Sequence, residues 1–73
     1  MGTVPRHRRA LGENIRNVRE AEGLSHEEIA RITRLNAAYL RRVESGRISV
    51  SIDALARIAK ALRISVNELT AGI

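Results

Sequence analysis

Apolar positions recur along the chain at helical spacing and fall into five short sets, separated by polar or glycine-marked breaks. Leu11, Ile15 and Val18 form the first set and predict a helix from about Arg9 to Glu22. Gly23 is a natural C-terminal cap for it, and Leu24 turns the chain inward. Ser25-x-x-Glu28 is a capping box, which satisfies orphan amides at a helix start, and so opens a second helix with Ile29, Ala30 and Ile32 as its buried side. Thr33, Arg34 and Leu35 make a turn, and Asn36 caps a third helix that ends at Gly46. After a loop at 47–50, Ser51 caps a fourth helix whose Ile52, Leu55, Ile58, Ala59 and Leu62 share one stripe. Ser65-x-x-Glu68, a second capping box, opens a short fifth helix with Val66 and Leu69. No alternation of period two, internal repeat or low-complexity segment is present. The expected fold is all-α, a compact bundle of five short helices at residues 9–73, preceded by a loose basic arm at residues 1–8.

The third helix is the most informative. At about 100° per residue, Tyr39, Leu40, Val43 and Glu44 fall on one side, and Ala37, Ala38, Arg41, Arg42 and Ser45 on the other. The apolar side must dock on the bundle. The outward side is then small at its N-terminal end and basic further along. Small residues let a helix backbone come close to base edges, and an arginine fork reaches guanine O6 and N7, each good pair carrying about 1–3 kcal/mol of discrimination. Glu44 lies on the buried side, where an unpaired carboxylate is costly. Arg19, at the edge of the first helix's apolar stripe, is the expected partner, giving a partly buried pair that ties the first helix to the third.

Composition narrows the function further. Thirteen basic residues, twelve of them arginine, against eight acidic ones leave a formal charge of +5 and favour a polyanionic partner. Arg6, His7, Arg8 and Arg9 concentrate that charge in the arm. Tyr39 is the only aromatic residue, so the stacking platforms of single-strand binders are missing and double-stranded DNA is the expected partner. Catalysis is not expected. There is no cysteine and one aspartate, and the two histidines are far apart. Ser25, His26 and Glu27 are helix neighbours that point in different directions. No ligand spacing for a metal is present, and neither a metal nor a cofactor is expected. No apolar run approaches the roughly 18 residues of a membrane span. No apolar block follows the opening Met1-Gly2-Thr3-Val4-Pro5-Arg6, so it does not read as a secretion signal, and the lack of cysteine fits a reducing cytoplasm.

With those residues in hand, the chain resembles the Xre/Cro family, the helix-turn-helix class that includes lambda-type phage repressors and Cro. The resemblance spans about Leu11 to Leu69. It rests on Leu11-Gly12-x-x-Ile15-Arg16-x-x-Arg19, Gly23-Leu24-Ser25-x-Glu27-Glu28-Ile29-Ala30, Tyr39-Leu40-x-x-Val43-Glu44-x-Gly46 and Leu55-x-x-Ile58-Ala59-x-Ala61-Leu62. It implies a lambda-repressor-like fold in a bacterial or phage regulator, cytoplasmic and nucleoid-associated, with the helix-turn-helix formed by the second and third helices. Carried onto this chain, Asn36, Ala37, Ala38, Arg41 and Arg42 form the groove-facing set, and Ser25, His26, Tyr39 and Arg47 become phosphate contacts. The family's buried ion pair maps onto Arg19 and Glu44. Departures are His26 where glutamine is common, Arg34 and Arg63 where glycine is common, and a loop at 48–51 without the usual proline.

The expected role is a sequence-specific transcriptional regulator, such as a repressor, that binds a near-palindromic operator as a homodimer. Ile64, Val66, Leu69 and Ile73 are many apolar residues for so short a C-terminal segment and are the candidate dimer patch. The alternative is an antitoxin of a toxin–antitoxin pair, or another protein-binding adaptor on the same fold. A restriction–modification controller is an option within the regulator class.

Overall fold

A computed structural model describes residues 3–73. It contains five helices and no strand among the described residues: α1 (Arg6–Ala21), α2 (His26–Thr33), α3 (Ala37–Glu44), α4 (Ile52–Ala61) and α5 (Val66–Leu69). Each start after the first is set by a side-chain cap. Ser25, Asn36, Ser51 and Ser65 accept hydrogen bonds from the backbone N–H of Glu28, Tyr39, Ala54 and Glu68. At Ser25 and Ser65 the glutamate returns the bond to the cap's own N–H.

The core is one cluster of Ile15, Ile29, Leu40, Val43, Leu55, Ile58, Ala59, Leu62 and Leu69, drawn from every helix. Burying an aliphatic side chain of this size stabilises by about 1.5–3 kcal/mol, so Ile58 of α4, its cap Leu62 and Leu69 of α5, the largest fully buried side chains, anchor the C-terminal half to the core. Asn14 ties the C-terminal segment to α1, donating through Nδ2 to the Leu69 and Ala71 carbonyls at 2.9 Å each.

Four expectations change. Helix α1 begins at Arg6, with Pro5 as its cap, so the arm's arginines are helical. Val4 and Pro5 are partly buried, and Met1 and Gly2 of the arm lie outside the described residues. Leu69 is 0 % exposed and belongs to the core, so it cannot form a dimer face. Ile52 is exposed because, as the first residue of α4, it stands past the end of the core. Ile32 is 58 % exposed, because Ile29 and Thr33 take the inward positions of α2.

Backbone conformation carries a further signature. Arg34 at φ 62° and Arg63 at φ 61° are the two non-glycine residues of the described chain in the left-handed region, each strained by about 1 kcal/mol. Arg34 ends α2. Arg63 stands just past α4, where its N–H bonds to Lys60 O and the Ile64 N–H to Ala59 O, a closure that ordinarily uses glycine.

Candidate nucleic-acid interface

Helix α3 is two turns long and is held on three sides. Asn36 Oδ1 caps its first turn at 2.7 Å from Tyr39 N. Leu40 and Val43 are buried in the core. At its C-terminal end α3 meets α1. A Cβ on Gly12 would stand 2.7 Å from the Val43 carbonyl oxygen and from the Glu44 carbonyl carbon, and closer still to the Glu44 oxygen. Only a hydrogen atom fits there.

Seven residues further along α1, Arg19 reaches the Glu44 side chain. Its Nε donates to Oε2 at 2.6 Å, its second guanidinium nitrogen donates to Oε1 at 3.2 Å, and its remaining one donates to the Leu24 carbonyl at 2.8 Å. The side chains are 12 % and 8 % exposed, so this is the buried pair that the burial of Glu44 requires. The Glu44 hydrogen bond raises the proton affinity of Arg19 further above its already high value. His26 completes a triad. Its Nε2 is buried and lies 2.9 Å from Glu44 Oε1, a close polar contact without an aligned hydrogen bond.

With its inner side so occupied, α3 turns Ala38, Arg41, Arg42 and Ser45 to solvent, preceded by exposed Asn36 and half-buried Ala37. Tyr39 is half-buried against the core, and Arg47 is exposed just beyond the helix. Ser25 and His26 lie at the start of α2, partly buried, with the Ser25 hydroxyl oxygen used in the capping box. The residues expected to read bases therefore share one surface. Those expected to hold phosphates lie at the start of α2, within α3 and just past its end.

Two features of this surface were not read from the sequence. Arg41 donates to Glu27 Oε2 at 2.6 Å, an exposed pair that bridges α2 and α3 and occupies one edge of the guanidinium. Arg16, one turn before Arg19 on α1, lines a shallow depression of about 260 Å³ with His26, Arg41 and Ser45, which adds a cation beside α3. Its spacing of three from Arg19 is the signal that places it on the face α1 turns towards α3.

Glu27 and Glu28 give the surface an acid-sensitive edge. The Arg41 hydrogen bond, aided by its own backbone N–H, holds Glu27 below the ordinary carboxylate value of 4.5. The Ser25 backbone N–H does the same for Glu28. A depressed carboxylate contributes stability that is complete above its unfolded value and is lost as pH falls through its folded one. Thermal unfolding midpoints are therefore expected to hold steady above about pH 5 and to fall below it. Glu27→Gln/Glu28→Gln should flatten that fall, and an unchanged acid profile in the double variant contradicts the assignment.

A helix-turn-helix domain profile matches residues 10–71, nearly the whole chain. The chain belongs to the helix-turn-helix domain family. Within it, the chain is 39% identical over 59 residues to the control protein C.SmaI of Serratia marcescens, covering 81% of this chain and 70% of that one. The structure resembles the clp gene regulator ClgR of Corynebacterium glutamicum, with a TM-score of 0.85 and 36% identity, over 92% of this chain and 71% of that one. It also resembles the restriction-modification controller protein C.AhdI of Aeromonas hydrophila, with a TM-score of 0.82 and 36% identity, over 84% and 92% of the two chains. This helix-turn-helix protein is thus a DNA-binding transcriptional regulator of the Xre/Cro type with a lambda-repressor-like fold. Among the described residues no helix is long and apolar enough to cross a membrane.

Proposed function

We propose that this helix-turn-helix protein occupies a near-palindromic duplex operator as a symmetric dimer, each copy laying α3 in the major groove. The observation that carries this is the outer face of α3: small residues at its N-terminal end, Arg41 and Arg42 exposed further along, and an inner side fixed to the core and to α1. Asn36, Ala37, Ala38, Arg41 and Arg42 read base edges. Asn36 does so through Nδ2, since its oxygen serves the cap. Ser25, His26, Tyr39 and Arg47 hold phosphates and set the register. The dimer forms through the C-terminal segment, where Ile73 is exposed and Ile64 and Val66 are half-buried against the core. The protein acts in the cytoplasm, at the nucleoid.

Selection of bound duplexes from a random pool tests the reading. An enriched palindrome supports the dimer and the site together, and a pool that stays random at low salt overturns both. Two variants separate the roles of the arginines. Arg42→Ala is expected to lose about 1–3 kcal/mol at the selected site and to relax base preference at one position. Arg47→Ala is expected to weaken all duplexes alike and to lower the slope of log affinity against log salt by about one. Titrations of selected and scrambled duplexes across a salt series measure both effects.

The relatives favour one refinement. C.SmaI is a control protein and C.AhdI a restriction-modification controller, so control of a restriction–modification system is the regulatory role we favour. Endonuclease and methyltransferase reading frames beside the gene, with the selected palindrome upstream of one of them, are the expected outcome. A selected site found only upstream of unrelated genes rejects this refinement.

A further inference from the structure

An open groove of about 530 Å³ lies between the C-terminal ends of α2 and α4. Arg34, Arg57, Lys60 and Arg63 stand around it, all exposed, and the 58 % exposed side chain of Ile32 lies among them. Among the described residues no carboxylate comes within 4 Å of any of the four cations. The groove takes no lining residue from α3 or from the start of α2. Around the α2 axis, at about 100° per residue, Ile32 lies about 140° from Glu27, the residue that meets Arg41 of α3. The groove is therefore a separate surface from the one proposed to hold DNA.

Its construction needs an explanation that folding does not supply. Both left-handed non-glycine residues of the described chain are arginines, and both line this one groove. Glycine adopts that conformation without strain. Cations do compensate the negative end of a helix, but Arg31 and Lys60 already occupy the last turns of α2 and α4 in unstrained backbone. Strain retained at two positions that share one charged surface points to a binding role for that surface.

We propose that the groove docks an acidic segment of a partner protein, its carboxylates meeting Arg34, Arg57, Lys60 and Arg63 and an apolar side chain covering Ile32. The exposed apolar centre ringed by cations favours a peptide, which carries both kinds of group, over a phosphate backbone. With four cations and no carboxylate in its lining, the groove is not complementary to the same groove on a second copy of this chain.

The test uses the full chain and a fluorescein-labelled peptide of repeated Glu-Glu-Leu units, followed by fluorescence anisotropy at fixed ionic strength. Arg34→Gly/Arg63→Gly removes two cations and both strained positions. It is expected to weaken peptide binding about tenfold, with a thermal midpoint equal to or above that of the parent and with duplex affinity unchanged. A Glu-Glu-Gly peptide should bind the parent more weakly than Glu-Glu-Leu. Arg42→Ala should leave peptide binding as it was. The proposal is overturned by peptide binding that survives in the double glycine variant, by equal affinity for the two peptides, or by loss of peptide binding in Arg42→Ala. Loss of duplex binding in the glycine variant overturns it as well, and assigns the groove to phosphates. A sedimentation shift from dimer to monomer in that variant also overturns it, and makes the groove a contact between copies.

Discussion

Glu44→Ala is expected to cost about 3–5 kcal/mol of folding stability. The carboxylate is 8 % exposed and faces two nitrogen-bearing side chains, Arg19 at 2.6 Å and His26 at 2.9 Å. Its removal leaves a guanidinium that is 12 % exposed with the Leu24 carbonyl as its hydrogen-bond acceptor and the exposed Glu20 carboxylate 3.9 Å away. A domain of this size has only about 5 kcal/mol of stability in hand. The variant should therefore be largely unfolded at ambient temperature, as judged by the helical circular dichroism signal. Arg19→Ala should lose a comparable amount. Arg19→Met/Glu44→Leu should recover much of it, because an apolar pair of similar volume avoids burying any charge. Single variants that unfold within about 0.5 kcal/mol of the parent in urea contradict the assignment of this pair as the tie between α1 and α3.

Gly12→Ala is expected to destabilise by about 3 kcal/mol, at the upper end for adding one methyl group to a packed interior. The reason is the identity of the obstacle. The new methyl meets backbone atoms of Val43 and Glu44, which cannot rotate aside as a side chain can. Relief requires α1 and α3 to separate, and their separation stretches the Arg19–Glu44 pair that binds the same two helices. The two losses are thus coupled, and Gly12→Ala combined with Glu44→Ala should cost less than the sum of the single changes. Thermal unfolding of the single and double variants measures that coupling. A Gly12→Ala protein that melts with the parent shows that α1 and α3 are free to separate without loss.

Much of this architecture is legible in the sequence because it is local. A serine or asparagine directly ahead of a run with helical apolar spacing marks a helix start, and Ser25, Asn36, Ser51 and Ser65 do cap α2 to α5. The partition of α3 is equally local. Once Leu40 and Val43 face inward, Glu44 must follow and Arg41 and Arg42 must not. The buried ion pair comes from adding the cost of an unpaired carboxylate to that partition.

The misread features depend on neighbours that spacing alone does not name. The sequence places the start of α1 at about Arg9 because Arg6, His7 and Arg8 show no apolar stripe. Pro5, whose fixed φ suits a helix entrance, was the available signal. A helix of four residues is too short for periodicity to distinguish inside from outside, so the sequence alone offers Leu69 to a dimer face. Ile32 and Ile52 are apolar and in helical phase, yet the bundle has no opposing element to cover them. Gly12 appears in sequence as a small residue on a helix. Its role in setting how closely α1 and α3 approach appears only when both backbones are placed.

An eight-residue helix in water, cut free of its domain, is well below the roughly 12–15 residues needed for appreciable helicity. The Asn36 cap, the buried leucine and valine, and the clasp onto α1 remove that freedom before any partner arrives. The region meets its target as an ordered rod, so little chain entropy remains to be lost at contact. The heat-capacity change of association should then scale with the surface the two molecules cover and carry no contribution from folding.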